Sequence, residues 1–207
     1  MRVAIVNYGM GNLSSVRKSF EELGANVVVV AVPDQLYDAD AIVLPGVGAF
    51  AEGMENLVNG GWVAPLRDNV SQHQKPLLGI CLGMQMLADH GNEGGITPGL
   101  GLIPGTVQKL DSLGCKQRIP HIGWNEVHYT QQDPLFDNIQ NDSDFYFVHS
   151  YAFVTEKPEH LIATVPYDVA VTAVVRNNHI YGCQFHPEKS SKAGRRLLSN
   201  FLKYSVC

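Results

Sequence analysis

The sequence predicts an α/β protein with a doubly wound, mostly parallel central sheet, helices on both faces and added antiparallel strands in the C-terminal half. Three observations carry this. Strand-sized apolar runs alternate with helical-period segments through the first half. One run, 27–32, is apolar at every position, the pattern of a strand covered on both faces. In the second half, short strand-like runs are separated only by turn residues.

Taken in order, Arg2–Val6 is a β-branched apolar run that ends at Gly9 and Gly11. Leu13, Val16, Phe20 and Leu23 then recur at helical spacing, with Ser14 or Ser15 as the expected cap and Gly24 as the stop. The valine run 27–32 and the segment 41–44 are the second and third strands, the latter cut off by Pro45-Gly46. Helices are expected over 51–58 and 63–74, a fourth strand over 76–80 and a helix over 82–88. Six further runs, 106–110, 125–129, 144–148, 161–165, 170–176 and 179–185, read as hairpin strands, with Arg176-Asn177-Asn178-His179 the clearest turn. Leu197, Leu198, Phe201 and Leu202 make one stripe of a closing helix. No linker or repeat interrupts the chain, so one domain over 1–207 is expected.

Composition narrows the function classes. The 207 residues are 45% apolar and 17% charged, enough apolar side chains for a large core. The net charge of −5 lacks the basic surplus of a nucleic-acid binder, so no nucleic-acid partner is expected. The apolar runs are too short to cross a bilayer, so no membrane partner is expected. Met1-Arg2-Val3-Ala4-Ile5-Val6-Asn7 does not read as a secretory leader. Cysteines 81, 115, 183 and 207 are scattered without a C-x-x-C pair, which favours a reducing cytoplasm over a disulfide framework.

The strongest chemical motif is Gly79-Ile80-Cys81-Leu82-Gly83, a nucleophile flanked by small residues between a strand and a helix. Glycines permit the sharp turn that lifts a thiol to the sheet edge, and a helix behind it would lower the thiol pKa. The plain alternative is a buried structural cysteine. A thiol needs a base, and His186 stands at the end of the last apolar run, followed by Pro187 and Glu188. Glu188 can hold one ring nitrogen and orient the other, which completes a Cys-His-carboxylate set. Cys183-x-x-His186 is half a zinc motif without a second half, so no metal is expected. Pro45-Gly46-Val47-Gly48 is either an ordinary turn or an oxyanion loop with free backbone amides. Gly9-Met10-Gly11 lacks the third glycine of a dinucleotide loop, because position 14 is Ser14, so no cofactor is expected.

Together these motifs resemble those of the class I (triad) glutamine amidotransferases, a family with a flavodoxin-like sheet. The segments Asn7-Tyr8-Gly9-Met10-Gly11-Asn12, Pro120-His121-Ile122-Gly123-Trp124-Asn125, Tyr146-Phe147-Val148-His149-Ser150-Tyr151 and His186-Pro187-Glu188-Lys189-Ser190 are similar to one branch of that family. Its members are glutaminase subunits of histidine biosynthesis that pass ammonia to a (β/α)8 cyclase, which makes imidazole glycerol phosphate and an aminoimidazole carboxamide ribonucleotide. The resemblance implies L-glutamine as substrate, Cys81 as nucleophile, His186 as base and acid, and Glu188 as its orienting group. It implies oxyanion donors at Gly48, Val47 and Leu82. It places Gln85, Glu93, His149, Ser150 and Tyr151 on the substrate, although Gly91 and Asn92 stand where the family often has acids ahead of Glu93. Asn12, Trp124, Tyr146 and Lys189 would face the cyclase in a heterodimer.

Three other readings bear on the same residues. The first keeps the glutaminase and changes the acceptor, for instance to a sugar-amidating synthase; the second is a free-standing cysteine hydrolase or peptidase; the third is a non-catalytic binding module with a decayed site, against which the intact Cys81, His186 and Glu188 argue. Tyr146 and Tyr151 also suit plain sheet packing, and Lys189 suits a solvated helix start.

Overall fold

The computed structural model describes residues 1–204, and Cys207 lies outside the described residues. The chain runs β1 (Arg2–Val6), α1 (Leu13–Glu21), β2 (Asn26–Val30), β3 (Ala41–Gly46), α2 (Phe50–Asn59), α3 (Val63–Ser71), β4 (Leu77–Cys81) and α4 (Leu82–Gln85). Then come β5 (His90–Gly91), β6 (Thr97–Pro98), β7 (Gly105–Lys109), β8 (His121–Tyr129), β9 (Ser143–His149) and β10 (Tyr151–Thr155). It closes with β11 (Leu161–Tyr167), β12 (Val169–Asn177), β13 (Ile180–Cys183) and α5 (Ser191–Tyr204).

Nine strands form the main sheet in the order β2-β1-β3-β4-β13-β12-β11-β8-β9. The first five are mutually parallel and the remainder antiparallel. At β1 both faces of the sheet are buried. Val3 and Ile5 of β1 point towards Val16 and Phe20 of α1 and Leu197, Leu198 and Phe201 of α5. Ala4 and Val6 point the other way, towards Met54 and Leu57 of α2 and Leu66 and Val70 of α3. This is the expected α/β architecture, and the turn joining β12 to β13, Asn178-His179, lies within the predicted 176–179 hairpin.

Several local expectations need correction. The valine run is an edge strand rather than a doubly covered one. β2 has β1 as its one neighbour, only Val30 is fully buried, and Val32 is 52% exposed. Pro45-Gly46 does not end β3. Its pairing with β1 stops at Val43, so no strand on that side needs the N–H that Pro45 lacks. Asn12, not Ser14 or Ser15, caps α1 by accepting from the Ser15 N–H. The helix after Cys81 is one turn long, because the carbonyls of Met86, Leu87 and Ala88 are taken by the N–H groups of residues 100–103. A long helix dipole therefore does not stand behind the thiol.

The sequence also hides a second sheet, β10-β7-β5-β6. β9 ends in the main sheet at His149 and β10 begins in the small sheet at Tyr151, so Ser150 is the corner between them. Among the described residues no helix is long and apolar enough to cross a membrane.

Candidate active site

Strand order brings distant segments together. β3, β4 and β13 are adjacent and parallel, so their carboxyl ends open on one edge. Gly46 pairs with Cys81 and Cys183 with Ile80, which sets the loop after β3, the thiol and the segment after β13 side by side.

Cys81 has φ 55° and ψ −110°, a strained conformation for a side-chain-bearing residue. Its flanking glycines are sterically required: a Cβ on Gly83 would collide with the Leu44 carbonyl, and one on Gly79 with the backbone of Gly83. The elbow holds the sulfur between the Val148 carbonyl at 3.9 Å, to which the thiol donates, and the Gln184 amide at 3.7 Å, from which it accepts.

His186 follows β13, which ends at Cys183 rather than running to residue 185. The chain stays extended by changing partners: Gln184 N–H donates to Ala173 O, and His186 N–H to Tyr146 O at 2.9 Å. The ring Nδ1 lies 2.8 Å from Glu188 Oε1, in a pair almost completely buried. Nε2 is buried and makes no hydrogen bond among the described residues. Burial favours the neutral ring, but the neighbouring Cys81 and Glu188 outweigh it and lift the His186 pKa from 6.5 to about 9. The site thus favours a protonated imidazole beside the sulfur.

A cavity of about 340 Å³ opens on these groups and is lined by Val47, Gly48, Cys81, Leu82, Gln85, Glu93, His149, Ser150, Tyr151 and His186, with Pro120 and Val148. Every residue expected at the oxyanion or the substrate is on its wall. Glu188 stands behind His186. Gly48, with φ 105°, follows β3, and no protein group among the described residues accepts from its N–H. Glu93 Oε2 accepts from Phe50 N–H at 2.7 Å, which ties it to the start of α2. Gln85 Nε2 donates to Tyr151 O and to Gln184 Oε1, both at 3.0 Å. The described residues hold no cluster of metal-ligating side chains.

Trp124, Tyr146 and Lys189 also meet. The Trp124 and Tyr146 rings are 6.0 Å apart, and Lys189 Nζ lies 6.0 Å from the Tyr146 ring centre. Ile122 and Trp124, 58% and 49% exposed, share the outward face of β8 and pair with Val148 and Tyr146. Asn12 stands at the start of α1, which packs against the 187–189 turn that carries Lys189.

Two neighbours of the thiol were not singled out from sequence. Gln184 is a fully buried polar residue in an otherwise apolar run, a signal that could have flagged it. Tyr8 follows β1 with its hydroxyl buried and unpaired, and burial together with nearby Cys81 pushes its phenol pKa well up.

A strained thiol at the carboxyl edge of a parallel sheet, beside a carboxylate-held imidazole, is an arrangement suited to cysteine-dependent acyl transfer. The family model for class-I glutamine amidotransferases matches residues 4–204, and the chain belongs to that family. It is an enzyme of the glutaminase class. It is 45% identical over 201 residues to the imidazole glycerol phosphate synthase subunit HisH 1 of Campylobacter jejuni strain RM1221, covering 97% of this chain and 99% of that one. Identity is likewise 45% to the HisH subunit of Moorella thermoacetica, over 96% of this chain and 93% of the relative. Among solved structures, a glutamine amidotransferase matches with TM-score 0.78 at 18% identity, covering 99% of each chain. PurLQS from Thermotoga maritima matches with TM-score 0.75 at 21% identity, over 98% of each chain. At those identities the solved structures speak to the fold.

Proposed function

We propose that the chain is the glutaminase subunit of an imidazole glycerol phosphate synthase, hydrolysing L-glutamine at Cys81 and handing ammonia to a (β/α)8 cyclase. The observation that carries the chemistry is the cavity in which Cys81 and His186 share one wall with Gly48, Leu82, Glu93 and the corner 149–151. Its volume, about 340 Å³, suits a small amino acid.

The Cys81 thiolate attacks the side-chain carbonyl carbon of glutamine. The N–H groups of Gly48 and Leu82, within a loop that includes Val47, receive the oxyanion. His186 gives its Nε2 proton to the leaving nitrogen; the C–N bond breaks, ammonia departs and a thioester remains. Water then attacks as His186 takes its proton. The C–S bond breaks, glutamate leaves, and thiolate and imidazolium are restored. Glu188 holds Nδ1 throughout. Glu93 receives the α-ammonium group of glutamine, Gln85 borders the substrate, and the backbone of His149, Ser150 and Tyr151 receives its α-carboxylate. No cofactor enters these steps.

Ammonia is a nucleophile only while unprotonated, so its transfer calls for a sheltered acceptor close to the cavity. The outward face of β8 and β9 suits a partner: Ile122 and Trp124 are exposed apolar groups, Val148 joins that face to the cavity wall, and Lys189 stands over Tyr146. Asn12 would extend the contact from the start of α1. Relatives named as imidazole glycerol phosphate synthase subunits, covered nearly end to end, favour the cyclase of histidine biosynthesis as acceptor. The three described cysteines are free thiols, which suits a reducing cytoplasm.

The test is to mix the chain with such a cyclase and its ribonucleotide substrate and follow glutamate release. Stimulation by the cyclase that weakens in Lys189→Ala, with the fold unchanged, supports the reading. Stimulation only by a sugar-amidating synthase would replace the acceptor.

A further inference from the structure

A line of polar side chains behind the cavity is not used by the chemistry above. His149 Nδ1 lies 2.8 Å from Tyr151 O, His149 Nε2 lies 2.9 Å from His121 Nδ1, and His121 Nε2 is hydrogen-bonded to the Asn125 amide nitrogen. Both imidazoles are buried, His121 completely.

The proton positions follow from one end. A carbonyl oxygen can only accept, so His149 Nδ1 carries the proton that Tyr151 O receives. Burial holds His149 down to about 3 and His121 down to about 4, so both rings are neutral near pH 7. A neutral His149 with its proton on Nδ1 presents a lone pair at Nε2. His121 must then donate from Nδ1, which leaves its own Nε2 as acceptor for Asn125. The opposite tautomers would leave Tyr151 O without this donor.

The far end of the line is firmly held. His121 is stacked between Tyr167, 4.0 Å from ring to ring, and Phe147, 4.8 Å away. The near end meets the substrate wall. Tyr151 O accepts from both His149 and Gln85, at the corner where the chain leaves the main sheet for the small one.

We infer that His121 is a positioning residue for glutamine binding: by donating to His149 it fixes the tautomer that pins the Tyr151 carbonyl, and with it the 149–151 wall of the cavity. The inference rests on the reading of that wall as the substrate site. It assigns His121 a role through its N–H rather than through the bulk of its ring.

Two variants of the full-length chain separate these roles in steady-state glutamate release. His121→Phe keeps a stacked ring and removes the donor. His121→Asn loses the ring and restores an N–H near the position of Nδ1. The KM for glutamine is expected to rise about tenfold in His121→Phe, the order of one buried hydrogen bond, with kcat changed by less than about twofold. His121→Asn is expected to recover most of that loss. The reverse ranking, with Phe harmless and Asn damaging, would overturn the inference in favour of ring packing. Nitrogen NMR of the parent chain gives a second reading that needs no variant to fold. His149 protonated at Nδ1 supports the inference, and His149 protonated at Nε2 refutes it. Failure of the substrate-site reading would show separately, as glutamate release that persists unchanged in Cys81→Ser.

Discussion

The backbone N–H of His186 donates to the carbonyl of Tyr146 at 2.9 Å. The Tyr146 N–H in turn donates to Ser190 Oγ at 3.0 Å, and Ser190 Oγ donates to the His186 carbonyl at 2.6 Å. The imidazole facing Cys81 is therefore tied by its own backbone to β9, and Tyr146 also belongs to the proposed docking face. A displacement of β9 on docking would reach His186 through one backbone–backbone hydrogen bond and two bonds made by the Ser190 hydroxyl.

Ser190→Ala is expected to break this tie. The Tyr146 N–H would lose its acceptor, at a cost of about 1–3 kcal/mol in unfolding free energy. Turnover should fall with little change in KM, because the base is loosened while the substrate wall is untouched. Urea unfolding and steady-state kinetics check both; parent values for both would show the tie to be without consequence.

Glu188→Gln is expected to lower kcat by about 10² to 10⁴, the usual range for disabling acid–base catalysis. It also carries a pH signature. The folded His186 pKa, about 9, lies above the unfolded value of 6.5. The native state therefore holds an extra proton between those values. The stabilisation is complete below about pH 6.5 and is lost as pH rises through about 9. Unfolding free energies measured across that window should decline with pH in the parent and more weakly in Glu188→Gln. Identical slopes would remove the carboxylate from the account.

Glu93 has two jobs that substitution can separate. Its Oε2 accepts from Phe50 N–H at 2.7 Å, so Glu93→Ala should destabilise the start of α2 by about 0.5–2 kcal/mol. Glu93→Gln keeps an acceptor and should fold normally, yet raise the KM for glutamine by losing the charge that faces the α-ammonium group. A parent KM in Glu93→Gln would move that role to another residue.

Gly83→Ala tests the elbow. The new methyl would sit on the Leu44 carbonyl, where backbone rather than a movable side chain lies in the way. A loss of about 3 kcal/mol or more is expected, beyond ordinary overpacking. A parent-like thermal midpoint would mean that β3 and α4 are more loosely apposed than described.

The elbow was readable because its demands are local. Gly79, Cys81 and Gly83 specify a turn whatever surrounds it, and His186-Pro187-Glu188 carries base and orienting acid within three residues. The β-branched apolar run Arg2–Val6 likewise announces a strand before any neighbour is known. Features that depend on strand order were not readable. The edge position of β2 follows from β1 standing between it and β3, and nothing within the valine run encodes that. The two-residue strands β5 and β6 are too short for periodicity, so the small sheet and the corner at Ser150 stayed hidden. Gln184 and His121 reach the site only because β13 lies beside β4, and β8 beside β9.

The most direct test of the central claim is rapid quenching of the parent chain with glutamine in acid, followed by mass analysis of the peptide that holds Cys81. The account predicts a glutamyl thioester on Cys81 during turnover and none in Cys81→Ser, whose glutamate release is abolished. Glutamate release at the parent rate by Cys81→Ser, or an acyl adduct on a different residue, would contradict it.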